Sequence, residues 1–443
     1  PGVSVVLKGT TQGTVTNADG EYSLSNVSED ATLVFSFVGM RTQEVEIGEQ
    51  STIDLTMIVD AVGIEEVVAI GYGTQKRVSV TSAVSTVTNQ DLVSKTTSNI
   101  QQSLQGYVPG LTVIDQGGSP GNPNIEMRVR GITTLDNKNS PLVIVDGIEQ
   151  PLADLNPNDI ESISLLKDAA STAIYGSRGA TGVLLITTKR ATGEDGQISV
   201  NYNGYVALQA ANNKPEHMGL EAYMKLQQIA YTNSGINLPE KFTDEGIEEY
   251  LTKHATEKYK YPLPNTMHDA VLSPAPQHSH NFSFGAGTKV IKTKASLRYL
   301  YQDGIIANSN SEIAEMRLNN DFQISSGLKI STDLNYRNKQ YRQPYAMDNE
   351  VFTHLLLGSQ WAVPKYPDGT YGVSSLGNNP LFFAEAQGYR NYNEDYMLGN
   401  IKGEWEIFKD LILTVQYGKI ANYFSQKRYK NLYDIEDSNT GGK

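Results

Sequence analysis

Few residues in this chain have the types and spacing that covalent or metal chemistry requires. His278 and His280 lie two residues apart on one strand face, a spacing that can bind metal, but no third ligand lies nearby. The run Gly176–Gly182 follows a helical pattern and precedes a strand, the reverse of a phosphate-binding loop, and it lacks the Gly-Lys-Ser/Thr ending. No His-Glu-x-x-His motif occurs. The sequence therefore predicts a protein that is not an enzyme, with no catalytic residue, metal or cofactor.

The second half of the chain is organised as alternating strands. From Gln197 onward, apolar or aromatic residues occupy every second position, with polar residues between them. Seven such runs are predicted strands: Ile198–Gln209, His280–Ala286, Lys294–Gln302, Glu315–Ile324, Leu328–Asn338, Tyr396–Phe408 and Leu411–Tyr423. Their connections alternate between long loops and tight turns, which is typical of outer-membrane barrels whose apolar face contacts lipid. A soluble sandwich would bury that face, and nothing in such a fold requires long loops at one end of the strands and tight turns at the other.

Composition limits the classes of function. The net charge of −13 argues against nucleic acid as a partner, because phosphate backbones require a basic surface. No apolar run approaches the length of a transmembrane helix, and the chain has no Cys. The 25 Tyr against 11 Phe suit side chains at a boundary between lipid and water. Because the chain opens inside a predicted strand, we expect a processed or truncated start.

Two regions precede the strands of the second half. Residues 1–58 are predicted to form a small β-sandwich from Val3–Leu7, Gly13–Thr16, Tyr22–Leu24, Thr32–Phe37, Arg41–Ile47 and Thr52–Met57. After a linker at 59–77, residues 78–192 mix predicted strands at Leu111–Ile114, Ile125–Arg130, Leu142–Val145 and Gly182–Thr188 with helices at Asp91–Leu104, Asn158–Ser164 and Lys167–Tyr175. The predicted fold class is therefore mainly β, with a mixed α+β domain in the middle.

Several long motifs resemble known families. The residues PGVSVVLKGTTQGTVTNADGEYSL resemble the carboxypeptidase-regulatory-like domain, joined after its first strand. The segments GIEEVVAIGYGTQKR, NIQQSLQGYVPGLTV, EMRVRGITTL and PLVIVDGIEQPLADLNPNDIESISLLKDAASTAIYGSRGATGVLLITTK resemble the SusC group (SusC/RagA family) of TonB-dependent outer-membrane transporters, as does SHNFSFGAG followed by LRYLYQDGII. The resemblance runs from Pro1 to at least Gln343 and keeps that family's domain order.

The resemblance implies the outer membrane of a Gram-negative bacterium and a 22-stranded transmembrane antiparallel β-barrel, closed by a plug domain at 78–192. It implies as partners the energy transducer TonB, a SusD-like surface lipoprotein as a lid, outer-membrane lipid, and a glycan or oligopeptide cargo, with a dimer of transporter–lipoprotein pairs as one arrangement. Seven strands cannot close around such a plug, and an open wall would leave unpaired edges in lipid. We therefore expect residues 193–443 to be the first part of the barrel of a longer protein.

The segment Ile64–Ile70 is a candidate TonB box. It is short and β-prone (Ile64, Glu65, Glu66, Val67, Val68, Ala69 and Ile70), and it lies between two predicted folded units. An extended peptide can add as a strand to the edge of another protein's sheet, and the resemblance implies that TonB binds here in this way. The alternative is a plain linker between domains.

Two further groups are candidate contact residues. Arg128 and Arg130 share one strand face and are predicted to pair with carboxylates of the barrel wall or of the plug itself, the alternative being ordinary surface arginines. The loops at 132–140 and 117–124, with Thr134, Asp136, Asn137 and Asn139, are predicted to contact cargo at the plug apex, although loop composition alone also explains them. Trp361 lies in a long aromatic loop that would contact either cargo or the lid.

Two other classes of protein remain open. A surface carbohydrate-binding adhesin without transport would be soluble without detergent, and the sorted loops count against it. A barrel receptor whose main task is signalling would need a βαβ-type signalling domain at 1–58, where the sequence shows no helix. The cargo, the lid and the oligomeric state are not encoded in any recognisable motif.

Overall fold

The chain folds into two compact units, residues 1–83 and 84–443. The computed structural model describes residues 2–431 except for 9, 11, 18, 26, 29, 38–39, 49, 51, 58–66, 71–72, 77–83, 94–96, 130, 132–139, 194–195, 213–217, 263–265, 358–362, 373–378 and 410. No helix in this described part is long and apolar enough to cross a membrane.

The first unit is built on a four-stranded antiparallel sheet of order β2-β1-β3-β4. Its strands are β1 (Ser4–Leu7), β2 (Gly13–Val15), β3 (Thr32–Phe37) and β4 (Met40–Glu46). Two segments predicted as strands, Tyr22–Leu24 and Thr52–Met57, are not strands, although their apolar side chains pack on the same core. Any extended chain that buries one side shows a period of two, so the pattern does not require main-chain pairing. A separate hairpin joins β5 (Val67–Ile70) to β6 (Gly73–Lys76).

The second unit begins with the mixed domain, whose sheet has the order β11-β10-β13-β12-β7. Its strands are β7 (Val84–Thr88), β10 (Leu142–Val145), β11 (Ile148–Glu149), β12 (Ile160–Leu166) and β13 (Val183–Thr188), and a hairpin is formed by β8 (Leu111–Ser119) and β9 (Asn122–Val129). The helices are short: α1 (Asn89–Val93), α2 (Ile100–Ser103) and α3 (Ala169–Thr172). A continuous apolar core includes Leu92, Ile100, Val145, Ile163 and Leu184.

Two helix predictions in this domain were wrong in detail. The segment Asp91–Leu104 contains two short helices, and Asn99 caps the second by accepting a hydrogen bond from the Gln101 amide (2.7 Å). Asn158–Ser164, predicted as helical, enters the interior strand β12 after one 3₁₀ turn. Its last four residues, Ile163–Leu166, are all buried, so both faces of this part of β12 are covered and the run has no clear period of two.

The rest of the unit is one large antiparallel sheet, here called the wall, in which seven strands follow one another in sequence order. The strands are β14 (Ile198–Gln209), β15 (Ala275–Gly287), β16 (Ile291–Asp303), β17 (Asn310–Ser325), β18 (Leu328–Pro344), β19 (Gly388–Phe408) and β20 (Leu411–Lys430). All seven predicted strands are present; β14 has the predicted bounds, and the other six are longer than predicted. The long loops carry α4 (Leu220–Ser234), α5 (Asp244–Lys253), α6 (Thr266–Val271), α7 (Asp348–Leu357) and α8 (Pro380–Glu385).

Candidate functional site: the polar interface between the mixed domain and the wall, and the hairpin apex

The wall buries its polar face and exposes its apolar face. On β18, Asp333, Asn335 and Arg337 are each at most 4% exposed, whereas Leu334 and Tyr336 between them are 51% and 37% exposed. The same inversion occurs on β15, where Gln277, Ser279, Asn281 and Ser283 are buried and Phe282 and Phe284 are exposed. A protein surrounded by water would place these faces the other way round. The exposed face is therefore suited to an apolar medium.

The apolar face has the dimensions of a lipid layer. On β19 the outward residues from Met397 to Ile407 span ten residue steps, which is about 33 Å along the strand and about 25 Å across a layer when the strand is tilted by about 40°. The band also runs obliquely to the hydrogen-bond rows. One row starts at the 81% exposed Val206 on β14 and reaches the polar residues Gln340 on β18 and Asn393 on β19. Such an offset is expected of tilted barrel strands.

One cluster of charges joins the mixed domain to the buried face of the wall. Asp154, which follows β11, lies 3.1 Å from the Arg337 guanidinium and 3.3 Å from the Lys339 ammonium. Nearby, the Asn156 side-chain amide donates to the side-chain oxygen Oδ1 of Asn281 (2.7 Å). All these groups are buried or nearly so, and ions buried in this way require partners. The loop therefore presents an anionic side chain to a cationic part of the wall.

A second cluster has the opposite polarity. Arg190, just after β13, donates from Nη1 to Asp321 (2.7 Å) and from Nη2 to Asp333 (2.5 Å) on the wall. Burial lowers the pKa of the Arg190 guanidinium, but attraction to Asp333, Asp146 and Asp321 outweighs burial and raises that pKa, so the group stays charged. The wall presents cations to Asp154 at one place and carboxylates to Arg190 at another. Only one orientation of the mixed domain against the wall therefore satisfies both contacts.

Neutral hydrogen bonds complete this interface. Gln343 donates to the Ser119 hydroxyl, the Gln416 amide to the Asp146 carbonyl (2.9 Å), the Asn319 amide to the Thr188 hydroxyl (2.9 Å) and the Tyr396 hydroxyl to the Gln150 side chain (3.2 Å). Polar groups of this kind can exchange protein partners for water at little net cost. The two surfaces of this interface can therefore separate and be solvated by water, whereas an apolar interface would resist such separation.

The structure describes only some of the site residues that were predicted from the sequence. Arg128 pairs with Glu126 of its own strand β9, with a 2.6 Å ion pair and a 2.7 Å bond from Nε. Its predicted contact with the wall stays a prediction. Val67–Ile70 form β5. The remaining candidates lie outside the described residues: Ile64, Glu65, Glu66, Arg130, Thr134, Asp136, Asn137, Asn139 and Trp361. Asp154 and Arg190 were missed, because nothing near either residue in the sequence indicates its distant partner.

A cavity of about 800 Å³ separates the β8–β9 hairpin from the loop helices. The hairpin contributes Gln116, Ser119, Asn122 and Asn124, and the helix α7 contributes Phe352 and Leu356. Amides beside an aromatic ring suit polar, ring-containing or peptide-like ligands. The predicted loop 117–124 thus lines a ligand-sized space on the side of the long loops.

The hairpin apex also carries a motif that the sequence analysis did not identify. Gly117, Ser119 and Gly121 have the Gly-x-Ser-x-Gly spacing of serine hydrolases. That motif functions on a sharp turn between a strand and a helix, whereas here it joins the two strands β8 and β9. Ser119 is buried and its hydroxyl accepts from Gln343. The spacing is therefore a feature of a tight hairpin against the wall.

Gly121 provides a test of how closely this hairpin contacts the wall. It has φ +75°, and a Cβ there would lie 2.6 Å from Ser311 Oγ and 2.7 Å from Tyr341 Cβ. Gly117 has a similar φ of +86° with nothing within 4 Å, so it is a matched control. Both Ala substitutions incur the backbone penalty of about 1 kcal/mol, but Gly121→Ala also overpacks the interface by about 1–3 kcal/mol. We expect Gly121→Ala to lower the unfolding temperature clearly more than Gly117→Ala, and equal effects would contradict the contact.

His278 and His280 lie on the apolar face among aromatic rings. The His278 ring centroid is 5.5 Å from that of Tyr301, and His280 Nδ1 lies 2.8 Å from the Tyr202 hydroxyl. In the part of the chain that the structure describes, no three His, Cys, Asp or Glu side chains are grouped to hold a metal ion. The pair therefore belongs to an aromatic zone at one edge of the apolar band, as interfacial rings do in membrane barrels.

Comparison with known proteins agrees with this geometry. Residues 76–183 match the TonB-dependent Receptor Plug Domain, and residues 1–69 match the CarboxypepD_reg-like domain. The TonB-dependent receptor P26 of Formosa agariphila is 37% identical over 76% of this chain and 33% of its own length. The TonB-dependent receptor SusC of Bacteroides thetaiotaomicron is 34% identical over 70% of this chain and 29% of its own length. The chain thus spans about a third of the length of these two curated relatives.

A solved structure shares the fold. The RagAB peptide importer in its open-open state superposes with a TM-score of 0.66 at 25% identity, covering 83% of this chain and 44% of the matched chain. The two molecules therefore share a fold over most of this chain.

Proposed function

The chain belongs to the SusC-like TonB-dependent receptors, and from this premise we propose that the whole protein imports a glycan or an oligopeptide across the outer membrane. The observation that carries the proposal is the inverted wall, which buries Asp333 and Arg337 against the plug and exposes Leu334 and Tyr336. This arrangement suits a barrel with lipid outside and a removable polar plug inside.

We further propose how the plug opens. Cargo binds in the cavity beside the β8–β9 hairpin, and the segment Ile64–Ile70 becomes available to TonB, which adds to it as a strand. Pulling on this segment separates the plug from the wall. The Asp154 and Arg190 contacts are then replaced by water, so the separated surfaces remain soluble within the lumen.

Other assignments are part of the same proposal. Arg128 and Arg130 contribute to the polar surface of the plug, and Thr134, Asp136, Asn137, Asn139 and Trp361 contact cargo on the outer side. Residues 1–58, 59–77, 78–192 and 193–443 act as accessory module, TonB-binding linker, plug and first part of the barrel. A SusD-like lipoprotein covers the long loops, and two transporter–lipoprotein pairs associate in the membrane.

The direct test is uptake by intact cells in which this receptor supplies the only route for a nutrient. Candidate glycans and oligopeptides would be offered separately, with and without an active TonB system. The proposal expects TonB-dependent growth or accumulation with at least one cargo class. Normal cargo binding at the surface without TonB-dependent accumulation would support an adhesin instead.

A narrower prediction concerns the cavity. Phe352→Ala and Asn122→Ala each remove a lining side chain, and we expect each to weaken cargo binding about tenfold, which corresponds to about 1.4 kcal/mol. Isothermal titration of the purified full-length receptor would measure the change. Gln323→Ala serves as the control and should leave cargo affinity unchanged. Gln323 lies at the tight-turn end of β17, whereas the cavity lies at the end of the wall that carries the long loops. Unchanged affinity in both cavity variants would place the cargo elsewhere.

A further inference from the structure

Beyond the apolar band, the outward face of the wall becomes rich in amides. On β18, outward residues change from Leu334 and Tyr336 to polar groups, and β19 changes in the same hydrogen-bond rows. The polar set, here called the amide patch, consists of Asn338, Gln340, Arg342, Asn391, Asn393 and Asp395. It lies towards the long-loop end of the wall.

The amide patch is an ordered surface. The Asn338 amide donates to Asn393 (3.0 Å) and Asp395 (2.8 Å), the Gln340 amide to Asn338 (3.1 Å), and Arg342 Nε to Asn391 (2.9 Å). These side chains are fixed by one another, so a ligand would meet them with little additional loss of rotamer freedom. A groove of about 530 Å³ runs across the patch.

The rings of Tyr301, Tyr341 and Tyr392 and the Arg342 guanidinium line the same groove. The Arg342 guanidinium lies 4.4 Å from the ring centroid of Tyr389, and the Tyr389 and Tyr429 rings are 4.8 Å apart. Lys427 and the carboxylate of Glu312 also line the groove. Amides with aromatic rings and a few cations can bind hydroxyl-rich molecules that also carry phosphate.

The height of the patch indicates what surrounds it. From Met397 to Asn391 is six residue steps, about 20 Å along the strand and about 15 Å in height at a tilt of about 40°. The headgroup layer of an ordinary bilayer adds only about 5–8 Å on each side of its hydrocarbon core. The amide patch therefore extends further from the hydrocarbon core than phospholipid headgroups do. It lies on the same face of the wall as the residues that contact acyl chains.

We propose that the amide patch binds the phosphorylated saccharide headgroup of a glycolipid in the outer leaflet, a proposal that rests on the outer-membrane location proposed above. The acyl chains lie against Met316, Leu334 and Met397, while the sugars lie in the groove. Hydroxyls bond to Gln340 and Asn393, and phosphate bonds to Arg342 or Lys427.

The test uses the full-length receptor in mild detergent, titrated with purified rough-type lipopolysaccharide or with phosphatidylethanolamine and measured by native mass spectrometry. The double variant Gln340→Leu/Asn393→Leu removes two amides from the outward face. The control Gln426→Leu makes the same change near the same end of the wall, but on the inward face of β20, opposite Tyr392. We expect the double variant to lose about tenfold or more in lipopolysaccharide affinity, while phosphatidylethanolamine binding and the control stay unchanged.

Four outcomes would overturn the proposal, three of them seen in the double variant. In the double variant, one is an unchanged affinity for lipopolysaccharide, and another is an equal loss of affinity for both lipids. A third is a change only in the mass peak of the receptor dimer, with no change in lipid binding, which would assign the patch to a protein contact. If the receptor bound neither lipid and needed no detergent, the outer-membrane proposal itself would fail. Binding of phosphatidylethanolamine without preference for lipopolysaccharide would reject only the glycolipid site.

Discussion

Val68→Pro in the full-length receptor is expected to reduce TonB-dependent uptake at least about tenfold, whereas Val68→Ala keeps most of it. Val68 lies in β5, opposite Gln75 of β6, within the proposed TonB box. Strand addition depends on main-chain hydrogen bonds, so loss of one N–H and a fixed φ matter more than a shortened side chain. Cargo-limited growth, or uptake of labelled cargo, would measure the effect.

The control for this variant is cargo binding to the cell surface, which Val68→Pro should leave unchanged because the cavity residues belong to a different unit of the chain. Pull-down with the purified periplasmic domain of TonB should show the same loss as uptake. Normal uptake by the Val68→Pro receptor would mean that 64–70 is a plain linker.

Asp333→Leu is expected to destabilise the closed plug by about 3 kcal/mol. Asp333 is 2% exposed and accepts bonds from Arg190 (2.5 Å) and from the Asn400 amide (2.8 Å), so its removal leaves both donors poorly paired. The unfolding temperature in detergent should fall, and cells should admit large antibiotics that the closed receptor excludes. The double variant Arg190→Leu/Asp333→Leu should recover part of both losses, because it leaves no uncompensated charge.

A carboxylate elsewhere on the wall gives the matched control. Glu404 pairs with Lys402 at 2.7 Å, but both side chains are about a third exposed, so Glu404→Leu should cost less than about 1 kcal/mol. If Asp333→Leu were as harmless as Glu404→Leu, the Arg190 contact would not hold the plug.

The strands of the wall could be predicted because their pattern is local. Leu334 and Tyr336 alternate with Asp333 and Asn335. This period of two is the same whichever face of the sheet contacts lipid. Strand ends could not be predicted as well. Beyond Tyr336 the outward residues become polar while the ladder continues to Pro344, so the apolar signal stops before the strand does.

The contacts of the plug were much less predictable. Arg128 was predicted to pair with a carboxylate of the wall or of the plug itself, and in the structure its partner is Glu126, two residues away. The charges that meet the wall belong to Asp154 and Arg190, whose partners are more than a hundred residues distant in sequence. Such pairs depend on how two folded parts meet, and that information is not present in any single segment.

The central claim is that the exposed apolar face of the wall contacts lipid, and spin-label accessibility in reconstituted bilayers tests it most directly. Nitroxides would be placed on cysteines introduced as Met316→Cys, Leu334→Cys and Met397→Cys, with Gln340→Cys above the band as the control. We expect the first three labels to be accessible to oxygen and shielded from a water-soluble nickel complex, and the control to show the reverse. Labels at 316, 334 and 397 that collide freely with the nickel complex, or that neither reagent reaches, would contradict a lipid-facing wall.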